Sequence, residues 1–182
     1  LIDAGSRTGS ATTIKSYVDK YCTDGVLEYV IATHADQDHI AGFVGNASGS
    51  TRTGILYQYE VETIIDFAIT TKTTQVYNNY VTARTYAINN GAKHYTAAQC
   101  FNETDGAKAV YELTDNISMK ILYNYYYFNK SSDENNFSVC TLFTYNDHNF
   151  MFTGDLEEDG EEKLAAYYDG STSAKTLPQV EL

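Results

Sequence analysis

The stretch Thr33-His34-Ala35-Asp36-Gln37-Asp38-His39-Ile40-Ala41-Gly42 determines how the rest of this 182-residue chain is interpreted. Neutral imidazole and carboxylate are ligands that divalent ions such as zinc and manganese accept. The apolar segment 26–32 precedes the stretch and predicts a strand, whose end can turn several side chains toward one point. The alternative is a polar strand-to-helix loop in which Asp38 is an N-cap and the histidines are merely exposed. Four potential metal ligands lie within six residues of one another: His34, Asp36, Asp38 and His39.

The pattern resembles the metal-binding signature H-x-H-x-D-H of the metallo-β-lactamase superfamily, with Asp36 in place of the middle histidine. The resulting H-x-D-x-D-H is similar to a subgroup that contains the hydrolase-like domain of ComEC, the bacterial DNA-uptake (competence) channel protein, and related stand-alone and cell-surface hydrolases. Two further segments occur in the family's order. Residues 1–6 (LIDAGS) resemble its early strand and turn, and residues 152–157 (FTGDLE) resemble the strand end that supplies a bridging carboxylate.

The resemblance implies an α/β fold, namely the four-layer αβ/βα sandwich of that superfamily. We therefore expect residues 1–182 to form a single domain. The family's last ligand segment, similar to GHHGS, does not occur before Leu182. The expectation is accordingly a partial domain that lacks the C-terminal metal-ligand segment and the N-terminal strand.

The resemblance also implies a site for one or two zinc ions, with manganese as the alternative. His34 and Asp36 would bind one ion, Asp38 and His39 would bind the other, and Asp155 would bridge them. Binding to a divalent ion lowers the pKa of water to about 7, which yields a metal-bound hydroxide without a side-chain base. Asp38 would have a catalytic role by orienting that hydroxide. The predicted function is hydrolysis of a phosphodiester or another phosphoester in a small molecule or polymer. For Asp155 taken alone, the alternative role is an ordinary turn residue or helix N-cap.

One departure from the family pattern keeps other functions open. Residues 133–139 lie where the family has another histidine and contain none, so Asn136, or alternatively Asn135, would stand at the edge of the metal site as a weaker ligand. A degenerate, non-catalytic binding or structural domain of a larger surface or membrane protein is one alternative. A cell-wall phosphoesterase is the other. The chain contains no G-x-S-x-G elbow and no Gly-rich phosphate loop, so serine-hydrolase and nucleotide-binding functions have no support.

Composition limits the partners. The chain has 12 basic and 24 acidic residues, a formal net charge of −12, which disfavours nucleic acid as a partner although the resemblance allows it. No run of about 18 apolar residues occurs, so we expect no membrane contact within this segment. The 17 tyrosines and polar, lysine-poor composition favour an extracellular or cell-surface domain of a bacterial protein. The three cysteines are expected to be buried free thiols, with one disulfide pair as the alternative.

Hydrophobic periodicity predicts a βαβ order at the start of the chain. A helix is expected from Thr12 or Thr13 to Cys22, with a short helical turn at 40–44 and a loop at 46–50. The strand at 118–122 is expected to run into an aromatic-rich edge or loop at Tyr123–Phe128. His94 and His148 are expected to have structural or surface roles. The other predicted elements are strands at 26–33, 61–67 and 118–122, helices at 74–89 and 156–168, a hairpin of 137–145 with 150–153, and a final strand at 179–182.

Overall fold

Two β-sheets, one that contains a parallel pair of strands and one that is antiparallel, dominate the computed structural model, which describes residues 1–46 and 52–181. The chain divides into two units, one formed by Leu1–Asp66 with Thr70–Tyr95 and the other by Phe67–Ile69 with Thr96–Leu182. A mixed α/β fold is thereby confirmed. The single domain over residues 1–182 stays a prediction.

The first unit contains a three-stranded sheet in the order β1-β2-β3, in which β1 and β2 pair in parallel with Ala32 opposite Asp66. The first residues run along the other side of β1, where Ile2 forms a parallel bridge with Ile31. The elements are α1 Ser10–Val18, β1 Val26–Ala32, α2 Gln37–Val44, α3 Ile55–Gln58, β2 Glu60–Asp66, α4 Gln75–Asn89 and β3 Lys93–Thr96.

Apolar runs explain this sheet. Val30 and Ala32 in β1 and Ile64 and Ile65 in β2 have no exposed surface. A parallel strand covered on both faces carries such a continuous run instead of an alternating pattern. The longest helix begins where the Thr74 side chain accepts a hydrogen bond from the Tyr77 amide, and it packs against α2. The carboxyl ends of β1 and β2 therefore lie side by side, and the predicted ligand cluster follows directly from one of them.

The second unit contains a four-stranded antiparallel sheet in the order β4-β5-β6-β7. Strands β6 and β7 form the predicted hairpin, whose turn includes Asn146 at a φ of 51°. Its elements are α5 Ala97–Asn102, β4 Val110–Thr114, β5 Ile117–Ile121, β6 Thr141–Tyr145, β7 His148–Phe152 and α6 Glu158–Tyr167. Buried side chains from the sheet and α6 form its core: Leu122, Cys140, Leu142, Leu156 and Leu164.

The Tyr123–Phe128 segment is a loop, which is one of the two alternatives predicted for it. Tyr125–Tyr127 form a 3₁₀ turn after β5 ends at Ile121. The side chain of Asn124 causes this turn by accepting from the Tyr126 amide while donating to the carbonyls of Asn136 and Ser138. A strand would separate these groups. The tyrosines here pack mainly within the unit, and Tyr123 stacks on Tyr167 with ring centroids 4.0 Å apart.

Other boundaries differ by a turn or less. Helix α1 begins and ends earlier than expected, and α2 is longer than the turn predicted at 40–44. The final strand predicted at 179–182 is wrong for its described residues: 179–181 form no strand, although the Glu181 amide donates to the Asn149 carbonyl over 2.8 Å. Residue 182 and all but the first residue of the loop predicted at 46–50 lie outside the described residues.

The three thiols are free, as predicted. Cys100 and Cys140 are buried, whereas Cys22 is half-buried. Burial raises the pKa of Cys140 to about 12. Within residues 1–46 and 52–181, every helix is too short or too polar to cross a lipid bilayer.

Candidate metal centre

Four of the predicted ligands lie in the first unit, where β1 ends and α2 begins. His34 follows the strand and has no exposed surface. Asp36 occupies the N-cap position of α2 without a capping hydrogen bond from its side chain. Asp38 and His39 lie in the first turn, and the Asp38 side chain is 64% exposed. The N-cap assigned to Asp38 in the alternative interpretation is therefore wrong by two residues.

The two imidazoles lie against each other. Their ring centroids are 4.1 Å apart, and each ring offers a nitrogen within 4.8 Å of one on the other. The Nε2 atom of His34 is 3.8 Å from Asp36 Oδ2, and the Nε2 atom of His39 is 3.9 Å from Asp38 Oδ2. Each histidine thus lies near a different carboxylate, whereas the assignment of each pair to its own metal ion stays a prediction.

Hydrogen bonds on the opposite side of each ring define its tautomer. Asp3 Oδ2 lies 2.7 Å from Nδ1 of His39, and an ionised carboxylate only accepts, so this nitrogen carries the proton. The Thr33 hydroxyl donates its own proton to Asp3 and can only accept from Nδ1 of His34, which is 3.1 Å away. In the neutral rings, both Nε2 atoms therefore present lone pairs toward the carboxylates. This is the tautomer that a metal ligand requires.

Asp3 links His39 to Thr33 through hydrogen bonds. The sequence did not identify it as a site residue. It accepts hydrogen bonds of 2.8 Å from both the amide and the hydroxyl of Thr33, in addition to the bond from His39. Its backbone has a φ of 51°, a region that Asp and Asn adopt more readily than most residues. The available signal was an acidic residue directly after a short apolar strand and shortly before Gly5.

Close packing holds the first residues against α2. The Ala4 amide donates to the carbonyl of His39 over 2.7 Å. A Cβ atom on Gly42 would lie 1.9 Å from the Ala4 carbonyl oxygen, so only glycine allows this approach. The glycine three residues after His39 thus fixes the helix that carries two of the predicted ligands.

Lys72 is the second residue that sequence analysis missed. It lies between β2 and α4, and its ammonium group forms an ion pair with Oδ1 of Asp36. The two side chains are 31% and 26% exposed, so solvent screens the pair only partly. No motif in the sequence connects Lys72 with the predicted ligands at positions 34–39.

A buried charge network lies at the end of β2. Asp66 has no exposed surface and accepts hydrogen bonds from Tyr80 Oη (3.0 Å), Arg84 Nη1 (2.5 Å) and His94 Nε2 (2.8 Å). Burial by itself would raise the pKa of Asp66, but the hydrogen bond from His94 and the charge of Arg84 together lower it. His94 thus has the structural role that was predicted. His148 has a surface role, because it pairs with exposed Glu181 at 2.9 Å.

Asp155 and Asn136 lie in the second unit. Asp155 follows β7 in an exposed turn, and its amide donates to Ser138 Oγ over 3.2 Å. Asn136 is buried against Gly160, where an added Cβ would lie 2.6 Å from Oδ1 of Asn136. Among the described residues, no hydrogen-bond partner reaches that Oδ1 atom. The ligand role of Asp155 and the metal-edge role of Asn136 stay predictions.

The donor set of the first unit fits a divalent ion. It offers two neutral imidazole nitrogens and two carboxylates, which suit zinc and also manganese. Two ligands that are each about 2.1 Å from one ion can be at most about 4 Å apart. Both nitrogen-to-carboxylate distances, 3.8 and 3.9 Å, fall within that limit.

No family model matches the chain, and none of the curated proteins matches it significantly.

Proposed function

We propose that the chain carries a metal-dependent hydrolase site of the metallo-β-lactamase type that acts on phosphodiesters or other phosphoesters. The observation that supports it most is the shared orientation of two imidazoles, with each Nδ1 held by the Asp3–Thr33 pair and each Nε2 directed toward a carboxylate. Histidines in an ordinary polar loop would not need a common tautomer. Metal-ligating histidines do, and they take it from such hydrogen bonds.

In this proposal His34, Asp36, Asp38 and His39 hold one or two zinc ions, and manganese is the alternative. By the same resemblance, Asp155 would be the bridging ligand and Asn136 would stand at the edge of the site, in the four-layer sandwich of that superfamily. The ion, when bound, supplies water that is acidic enough to react near neutral pH and a positive charge for the developing oxyanion. Asp38, the most exposed of the four carboxylates and imidazoles, orients the attacking water.

A degenerate binding or structural domain is the second candidate. It is favoured by the ion pair that Lys72 forms with Asp36 and by the buried position of Asn136 where the family pattern has a histidine. A cell-wall phosphoesterase remains the alternative enzyme, because the net charge of −12 tolerates a wall polymer whose phosphates are balanced by cationic groups such as choline better than it tolerates DNA. The same charge is compatible with the proposed bacterial cell-surface location.

Hydrolysis of bis(p-nitrophenyl) phosphate, with zinc or manganese supplied, tests the proposal. Turnover by the wild-type chain should exceed that of Asp38→Asn by about 100-fold or more, because the variant loses a ligand and the group that orients water. Asp115→Asn removes an exposed carboxylate remote in sequence from the site and should retain full turnover. Equal turnover by the wild type and Asp38→Asn would refute the assignment of this site.

A further inference from the structure

The two carboxylate oxygens of Asp36 have different neighbours, Lys72 and His34. The Lys72 ammonium group holds Oδ1 of Asp36, and the second oxygen, Oδ2, lies 3.8 Å from Nε2 of His34. The backbone of Lys72 is itself fixed, because its amide donates to Thr70 Oγ1 over 3.0 Å. A lysine held in this way presents Asp36 to an ion through one oxygen only.

The ion pair also changes the net charge of the predicted ligand set. The imidazoles of His34 and His39 are neutral as ligands, whereas Asp36 and Asp38 each add one negative charge. Lys72 cancels the charge of Asp36 at close range, in an environment where both side chains are about two-thirds or more buried. A carboxylate neutralised by a lysine has the same net charge as an imidazole.

We propose that Asp36 and Lys72 act together as one charge-neutral metal ligand, with Lys72 as the residue that positions Asp36 and sets the affinity for the ion. This inference rests on the proposed function, because it concerns the same metal site. It also explains how an aspartate can stand where the resembled signature has a histidine: the lysine supplies the charge that the substitution would otherwise leave unbalanced.

A four-member set of proteins tests the pairing through zinc affinity, measured by calorimetry with zinc as the only ligand. Lys72→Met should bind zinc about tenfold more tightly than the wild type, because the site gains one uncompensated negative charge. Asp36→His should bind about tenfold more weakly, because the lysine then faces a neutral ligand. The double variant Asp36→His/Lys72→Met restores neutrality and should return to within about threefold of the wild type.

Two controls separate this role from a structural one. Lys93→Met removes an exposed lysine of β3 and should leave the zinc affinity unchanged. Lys72→Arg keeps the charge and should remain within about threefold of the wild type, although the geometry of its contact differs. A variant that simply folds badly would lose zinc affinity, so tighter binding by Lys72→Met cannot result from misfolding.

The outcomes distinguish this inference from the proposed function. Zinc binding by the wild type, with Lys72→Met unchanged or weaker, overturns the inference and leaves the hydrolase site in place. Failure of the double variant to improve on Asp36→His also overturns it. If neither the wild type nor any variant binds zinc, the proposed function and this inference are both refuted.

Discussion

Replacing Arg84 with methionine would test the buried charge network at the end of β2. Asp66 has no exposed surface, and Arg84 is one of three groups that donate hydrogen bonds to it. Methionine retains much of the aliphatic length of arginine but removes the charge and the donors. The variant therefore leaves a buried carboxylate that has lost its permanently charged partner.

The expected loss of unfolding free energy is about 3 kcal/mol. Removal of one partner from a buried ion pair costs about 3–5 kcal/mol. The lower end applies because the Arg84 side chain is 19% exposed and because Tyr80 and His94 still donate to Asp66. For a chain of this length, such a loss corresponds to a decrease of about 6–12 °C in the melting temperature.

Lys15→Met is the matched control, since it breaks an ion pair whose side chains are 37% and 49% exposed. Exposed pairs of this kind contribute about 0.2–1 kcal/mol. Urea unfolding followed by far-ultraviolet circular dichroism gives the free energies of both variants and the wild type. Equal losses in the two variants would refute the assignment of Asp66 as a carboxylate that depends on its buried partners.

The same network predicts a pH dependence with a definite sign. Because the pKa of Asp66 is lowered in the folded protein, its ionised form contributes stability that is complete above its unfolded pKa of about 4. That contribution is lost as the pH falls through the folded pKa. The difference in unfolding free energy between the wild type and Asp66→Asn should therefore be smaller at pH 3 than at pH 7, and a larger difference at pH 3 would contradict the reasoning.

Three further predictions concern the site and the thiols. Asp3→Asn preserves a residue type that tolerates its positive φ but weakens the hold on His39, so zinc affinity measured by calorimetry should decrease about 10–100-fold; an unchanged affinity would exclude this positioning role. Gly42→Ala should reduce the unfolding free energy by about 2 kcal/mol or more because its Cβ would collide with a carbonyl oxygen, whereas Gly9→Ala, with nothing within 4 Å, should change it by less than about 1 kcal/mol; similar effects of the two would refute the packing argument. Ellman's reagent should modify half-buried Cys22 well before Cys100 and Cys140, whose modification should require denaturant; rapid reaction of all three thiols in the native protein would contradict their burial.

Local patterns predicted the elements that carry strong periodic or capping signals. The apolar run before His34 identifies β1, and Thr74 followed by a long periodic segment identifies α4. The turn residues near Asn146 identify the hairpin of β6 and β7. Helix α5 was missed because it has only six residues, although Thr96 and Gln99 form a capping box that was a usable signal.

Long-range contacts account for what the sequence did not reveal. Asp3 and His39 are 36 residues apart, so their hydrogen bond appears only when the first residues lie beside β1. Lys72 reaches Asp36 from a different connection of the same sheet. Asn124 fixes the 3₁₀ turn through carbonyls 12 and 14 residues away, which overrides the strand propensity of the tyrosines around it. None of these pairs produces a periodic pattern in the amino-acid sequence.

Zinc content provides the most direct test of the central claim. The chain should be stripped of metal, supplied with zinc, freed of excess ion and analysed for zinc per chain beside the double variant His34→Ala/His39→Ala and the control Asp115→Ala. The account predicts at least one zinc ion per chain in the wild type and the control, and a clear loss in the double variant because it lacks both imidazole ligands. A wild-type chain that retains no more zinc than the double variant would contradict it.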